Sequence, residues 1–167
     1  AREYNVPERE FIDCDFSDIP REHGFYSSMY ASTLVDNCTF EKIGSQAIQW
    51  AHREEAYQQY SADCLPYAEK PTHIVRDTHV IDCAYKGDRP SFNATFFHPG
   101  SSEFPGTLLV ENCSFVCKWD EPSMYNGKAR YSTGGLVVTP TGDNAPLADQ
   151  CMMEKVHIKN TLFDFTA

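Results

Sequence analysis

A six-residue pattern returns along this chain: an apolar residue, any residue, Asp or Asn, Cys or Thr, any residue, an aromatic. It reads Phe11-Ile12-Asp13-Cys14-Asp15-Phe16, Val35-Asp36-Asn37-Cys38-Thr39-Phe40, Val80-Ile81-Asp82-Cys83-Ala84-Tyr85 and Val110-Glu111-Asn112-Cys113-Ser114-Phe115. A fifth unit, Ile158-Lys159-Asn160-Thr161-Leu162-Phe163, carries Thr where the others carry Cys. The Cys or Thr positions are 24, 45, 30 and 48 residues apart, which a repeat in the low twenties with insertions explains. That is a solenoid period, in which each unit needs its neighbours to bury its apolar face. Most hexamers are followed by another extended piece: Gly24–Tyr26, Gln46–Trp50, Ala94–Phe97 and Gly135–Val138. Other extended pieces lead into the hexamers: Ser32–Val35, Thr107–Val110 and Lys155–Ile158. One unit therefore holds three short strands and three turns, which suits parallel stacking of successive units rather than hairpins.

On these hexamers and their spacing the sequence resembles the right-handed parallel β-helix superfamily, the pectate-lyase-like proteins, over nearly its whole length. Members include polysaccharide lyases, glycoside hydrolases and phage tailspikes. The resemblance implies an all-β fold: a short right-handed single-stranded parallel β-helix of five to seven coils. It says little about activity, because it rests on the coil pattern and not on a catalytic motif. In such a fold Asp13, Asn37, Asp82, Asn112 and Asn160 stand at a bend between strands. Asn and Asp tolerate left-handed backbone there and hydrogen-bond along a stack of like residues. The Cys and the aromatic, two residues apart, face inward. Cys14, Cys38, Cys83 and Cys113 are expected to line one interior column, and Phe16, Phe40, Tyr85, Phe115 and Phe163 the next.

Three stretches break the rhythm, at about 51–71, 116–133 and 140–154. They read as loops projecting from a single domain that spans 1–167, the first with a candidate short helix at Ala51–Tyr57. Solenoid insertions tend to gather on a functional face.

The remaining arithmetic narrows the function classes. The chain has 167 residues and a formal charge of −10. A surface this acidic repels phosphate backbones, so nucleic acid and anionic membrane are poor partners. No apolar run is long enough for a transmembrane helix, and no signal peptide is visible. Seven Cys make an odd count with no CxxC, which speaks against both a disulfide framework and a zinc site of familiar spacing. Reduced, inertly packed thiols are expected, with a disulfide among Cys64, Cys117 and Cys151 as the alternative. The glycosylation sequons at Asn37, Asn93 and Asn112 read as by-products of the repeat.

Candidate chemistry lies in the loops. Trp50, His52, Arg53 and Glu54 follow one strand, and His98 ends another. Trp119, Asp120, Glu121, Tyr125, Arg130 and Tyr131 occupy the second insertion. In the resembled superfamily, loops beside one sheet wall a carbohydrate groove. Aromatic faces stack on sugar rings there, and carboxylates and Arg bond hydroxyls. These residues are the candidate ligand-binding set. Hydrolysis requires two carboxylates placed across the sugar, and the strand pieces Ala94–Phe97 and Gly135–Val138 carry no acid. His73 and His79 are weaker candidates as ligands or bases. The Asp13, Asp15, Asp18 and Asp143, Asn144, Asp149 groups are weaker candidates for calcium, and no cofactor is expected.

The sequence thus favours a non-catalytic structural or binding module in a larger virion or surface assembly, its loops contacting glycans or proteins. The alternative is a carbohydrate-active enzyme, lyase or hydrolase, or a fragment of one. Open coil ends expose strand edges, so other protein subunits, or the rest of a longer polypeptide, are expected to cap at least one end, with polysaccharide as the second class of partner.

Overall fold

The computed structural model describes residues 9–28, 32–51, 72–85, 92–96, 107–117, 123–125, 127–130, 136–140 and 155–165. These form sixteen short strands and no helix, so no described segment is a helix long and apolar enough to cross a membrane.

Fourteen strands fall into three parallel sheets. Sheet A orders β1 (Arg9–Ile12), β4 (Thr33–Asp36), β7 (Thr72–Arg76), β10 (Thr107–Glu111) and β15 (Lys155–Lys159). Sheet B holds β2 (Asp15–Ile19), β5 (Thr39–Ile43), β8 (His79–Ile81), β11 (Ser114–Val116) and β16 (Leu162–Asp164) in the same progression. Sheet C holds β3 (Phe25–Ser28), β6 (Ile48–Ala51), β9 (Phe92–Phe96) and β14 (Leu136–Pro140). The chain visits A, B and C in turn and returns to A one place further along. It makes four such circuits and then a last one through A and B alone. The two remaining strands, β12 (Ser123–Tyr125) and β13 (Lys128–Arg130), pair antiparallel. They make a hairpin within the second insertion, between the fourth circuit's strands in B and C.

Register turns repeats into columns. In sheet A, Phe11, Val35, Val75, Val110 and Ile158 lie side by side. In sheet B, Phe16, Phe40, Val80, Phe115 and Phe163 do the same. Phe16 stacks on Phe40 with centroids 4.7 Å apart and planes at 1°. Phe115 stacks on Phe163 at 4.9 Å and 11°. Val35, Phe40, Val75, Val80, Val110 and Phe115, with Ile48 and Trp50 of β6, belong to one continuous core, and Phe11 and Phe16 pack against it.

Between sheets A and B each circuit bends at a left-handed residue: Asp13, Asn37, Asp77, Asn112 and Asn160, all with φ between 46° and 56°. Asn and Asp suit this position because their short side chains offset the left-handed cost with local hydrogen bonds. The amides point back along the stack. Asn37 Nδ2 donates to Asp13 Oδ1 at 2.6 Å, Asn112 to Asp77 at 3.1 Å and Asn160 to Asn112 at 3.3 Å. A carboxylate cannot donate, so each run starts on an Asp, and the step from Asn37 to Asp77 begins a new one. One residue earlier the same two circuits are tied instead by Arg76 Nη2 donating to Asp36 Oδ2 at 2.6 Å.

The residue after the bend explains why Cys and Thr interchange. Each donates to the carbonyl two residues back: Cys14 to Ile12, Cys38 to Asp36, Thr78 to Arg76, Cys113 to Glu111 and Thr161 to Lys159. A small side chain with one hydrogen to donate fills the space and satisfies that carbonyl in either case.

One hexamer is out of register with the expectation. Asp77 and Thr78, not Asp82 and Cys83, continue the ladder and the thiol column, and Val80 takes the aromatic place in which Tyr85 was expected. Asp82 belongs to a second left-handed position with Asp18 and Lys42, at the far end of sheet B. Cys83 is buried there, and its thiol donates to the Phe40 and Ile81 carbonyls at 3.4 Å. Val116 ends β11, and Cys117 after it is still buried.

Candidate functional site

The candidate ligand set does not assemble among the described residues. His52, Arg53, Glu54, His98, Trp119, Asp120, Glu121 and Tyr131 lie outside them, as do Asp143, Asn144 and Asp149; of the helix expected over Ala51–Tyr57, Ala51 instead ends strand β6 and the rest lies outside. Tyr125 and Arg130 stand at the two ends of the β12–β13 hairpin ladder, Tyr125 opposite Lys128 and Arg130 opposite Ser123. Trp50 is fully buried, so its indole is not on the surface where sugar-ring stacking was expected. The reason is strand periodicity. Ile48 and Trp50 are two apart on β6 and share the inward face. The Trp50 indole N–H donates to Thr33 Oγ1 at 3.3 Å, and its ring lies 5.2 Å from that of His73.

The two histidines face opposite ways. His73 of β7 is buried, with Nδ1 3.1 Å from Thr33 Oγ1. His79 of β8 is exposed, with Nδ1 2.8 Å from Ser114 Oγ. One points into the core and the other into solvent, so they share no ligand. Asp13 and Asp18 hold the two bend positions at opposite ends of β2. No group of three or more His, Cys, Asp or Glu among the described residues is placed to hold a metal ion.

The thiols are packing groups. Cys38, Cys83 and Cys113 are buried, Cys14 is half-buried, and all four are free. Burial pushes Cys83 up to about 12 and Cys113 up to about 11, against backbone hydrogen bonds that pull the other way. Burial raises Cys38 as well. A thiol held this far above neutrality is a poor nucleophile, because the thiolate is the reactive form.

The unusual surface is the end formed by β15 and β16. Every residue of β15 is exposed. Val156 and Ile158 occupy inward columns of sheet A, and Phe163 the aromatic column of sheet B, yet they are 41%, 48% and 41% exposed. Leu162 beside them is 56% exposed. Among the described residues both strands are sheet edges, each paired on one side only, so this end shows a section through the core bordered by strand edges. The signal was present in the sequence as the last hexamer, whose apolar residues have no following unit among the described residues to cover them.

Neither a family model, nor a curated protein, nor a solved structure matches the chain.

Proposed function

We propose that this chain is a short right-handed single-stranded parallel β-helix, of the pectate-lyase-like kind its hexamers resemble. It acts as a non-catalytic structural and binding module, joined through its open end to a neighbour in a larger assembly. The cyclic visit to sheets A, B and C, with like residues in register from circuit to circuit, supports the coil reading. One observation carries the functional reading: the inward columns run out at Val156, Ile158 and Phe163, which stay 41%, 48% and 41% exposed with no further strand over them among the described residues. Single exposed apolar residues are ordinary. A contiguous apolar patch bordered by strand edges marks a contact site.

Amide hydrogen exchange tests this on the chain at dilutions where it is monomeric. The β15 and β16 amides should exchange at least about a hundredfold faster than those of β4, β5, β7 and β8, since local opening free energies range from near zero to the global value. Uniform protection across all five circuits would sink the reading, because the end would then already be covered.

A further inference from the structure

We propose that the open end receives a second copy of this chain head to tail, β1 and β2 of one copy lying on β15 and β16 of the other. The inference rests on reading that end as an interface and names its occupant.

Charge selects the orientation. Residues 9–19 carry Glu10, Asp13, Asp15 and Asp18 against Arg9 alone, whereas residues 155–165 carry Lys155 and Lys159 against Asp164 alone. With −10 overall, two copies repel in most orientations. Head to head brings acids together, and tail to tail lays Lys155 and Lys159 against their own counterparts. Head to tail is the arrangement in which unlike ends meet.

Register then matches the columns. If β1 and β2 take the next place in sheets A and B, Ile158 falls beside Phe11 and Phe163 beside Phe16. The same register sets His157 beside Glu10 and Thr161 beside Cys14, continuing the column of small donors. Asn160 meets Asp13 in the order of Asn37 and Asp77, a step at which one ladder run ends and the next begins. Three steps are poorly matched: Arg9 beside Val156, Ile12 beside Lys159 and Asp15 beside Leu162. Phe11, Cys14 and Phe16 are only partly buried in a single copy, so the receiving face also gains cover. Such a contact joins two different patches, so it does not close on itself and copies add in series.

Sedimentation of the intact chain at low salt, over a concentration series, tests this. The expected result is a ladder of species beyond the dimer that shortens as salt is raised. Glu10→Lys, at an exposed position, should weaken association about tenfold, and adding His157→Glu should restore it. Circular dichroism checks that both variants stay folded. A mixture of Ser17→Cys chains with Asp164→Cys chains should cross-link between the two kinds, since these positions share a column. A monomer at every concentration, unchanged association of Glu10→Lys, or cross-linking of Asp164→Cys chains with themselves overturns the proposal. A monomer with fast-exchanging β15 would leave the end an interface, but for a different partner.

Discussion

Val75 and Ile158 occupy the same inward column, and Phe40 and Phe163 share the next, yet each pair differs completely in burial. Val75 and Phe40 are sealed at 0% exposure, while Ile158 and Phe163 are 48% and 41% exposed. The residue types are comparable, as are the strand and the face. What differs is the number of neighbours, since β7 and β5 are flanked on both sides and β15 and β16 on one. Between strands that share a register column, burial follows the place of the strand in its sheet more than its residue types. Stability should therefore be carried by the inner circuits and contact by the last one.

The largest expected effect tests that division. Phe40→Ala removes a ring packed on both sides and should cost about 3–5 kcal/mol. Phe163→Ala should cost about 1 kcal/mol, near the worth of its one remaining aromatic stack. Urea unfolding of the two variants beside the parent chain measures both. Equal losses would mean that the last circuit is covered in solution and that the comparison fails.

How far the sequence revealed this follows from the same logic. The hexamer marks a bend plus two inward positions, and those are local requirements, so most strands of sheets A and B were visible from it. The third circuit was misplaced by five residues because Val75-Arg76-Asp77-Thr78-His79-Val80 carries neither Cys nor an aromatic. Meanwhile Val80–Tyr85 imitates the motif from the other end of the strand. Thr161 already stood in for Cys in the fifth unit, so Thr78 was readable with the same rule. Trp50 is a core residue, and the extended piece Gln46–Trp50 already places it two residues from Ile48 on the same face. A long aromatic next to a charged run reads as a binding group only until its strand parity is counted. Which end stays open is written only in the order of the hexamers, because exposure of Ile158 depends on the next unit and not on the residue itself.

Next in size is the response to alkali, which sharpens the contrast between the inner circuits and the first. Cys83 stands at about 12 and Cys113 at about 11 in the folded chain, against 9.0 for an unperturbed thiol. Burial is the leading cause of both shifts. The folded state therefore keeps protons that the unfolded chain gives up above about 9. By linkage this stability is fully present below 9 and is lost as pH rises from there through about 12. Urea midpoints at pH 8 and pH 10.5 should show the decline, and Cys83→Ala should flatten it. At neutral pH, iodoacetamide should label half-buried Cys14 first, with Cys38, Cys83 and Cys113 reacting only on unfolding. Labelling of all four at one rate would show that inner and outer circuits open together.

The smallest effects lie in the polar ladder, where the same comparison is made in hydrogen bonds. Asn112 donates to Asp77 and accepts from Asn160, whereas among the described residues Asn160 has a partner on one side only. Glycine tolerates the left-handed bend, so Asn112→Gly and Asn160→Gly remove the side-chain bonds and relieve the backbone of its constraint. At about 0.5–1.5 kcal/mol per net bond, the inner substitution should cost roughly twice the outer one. Asn112→Ala adds about 1–2 kcal/mol for an alanine forced to positive φ. Thermal unfolding of the three variants should rank them Asn112→Ala, Asn112→Gly, Asn160→Gly from most to least damaging. If Asn160→Gly cost as much as Asn112→Gly in dilute solution, Asn160 would have a second partner. The bend column would then continue past the last circuit even in a single chain.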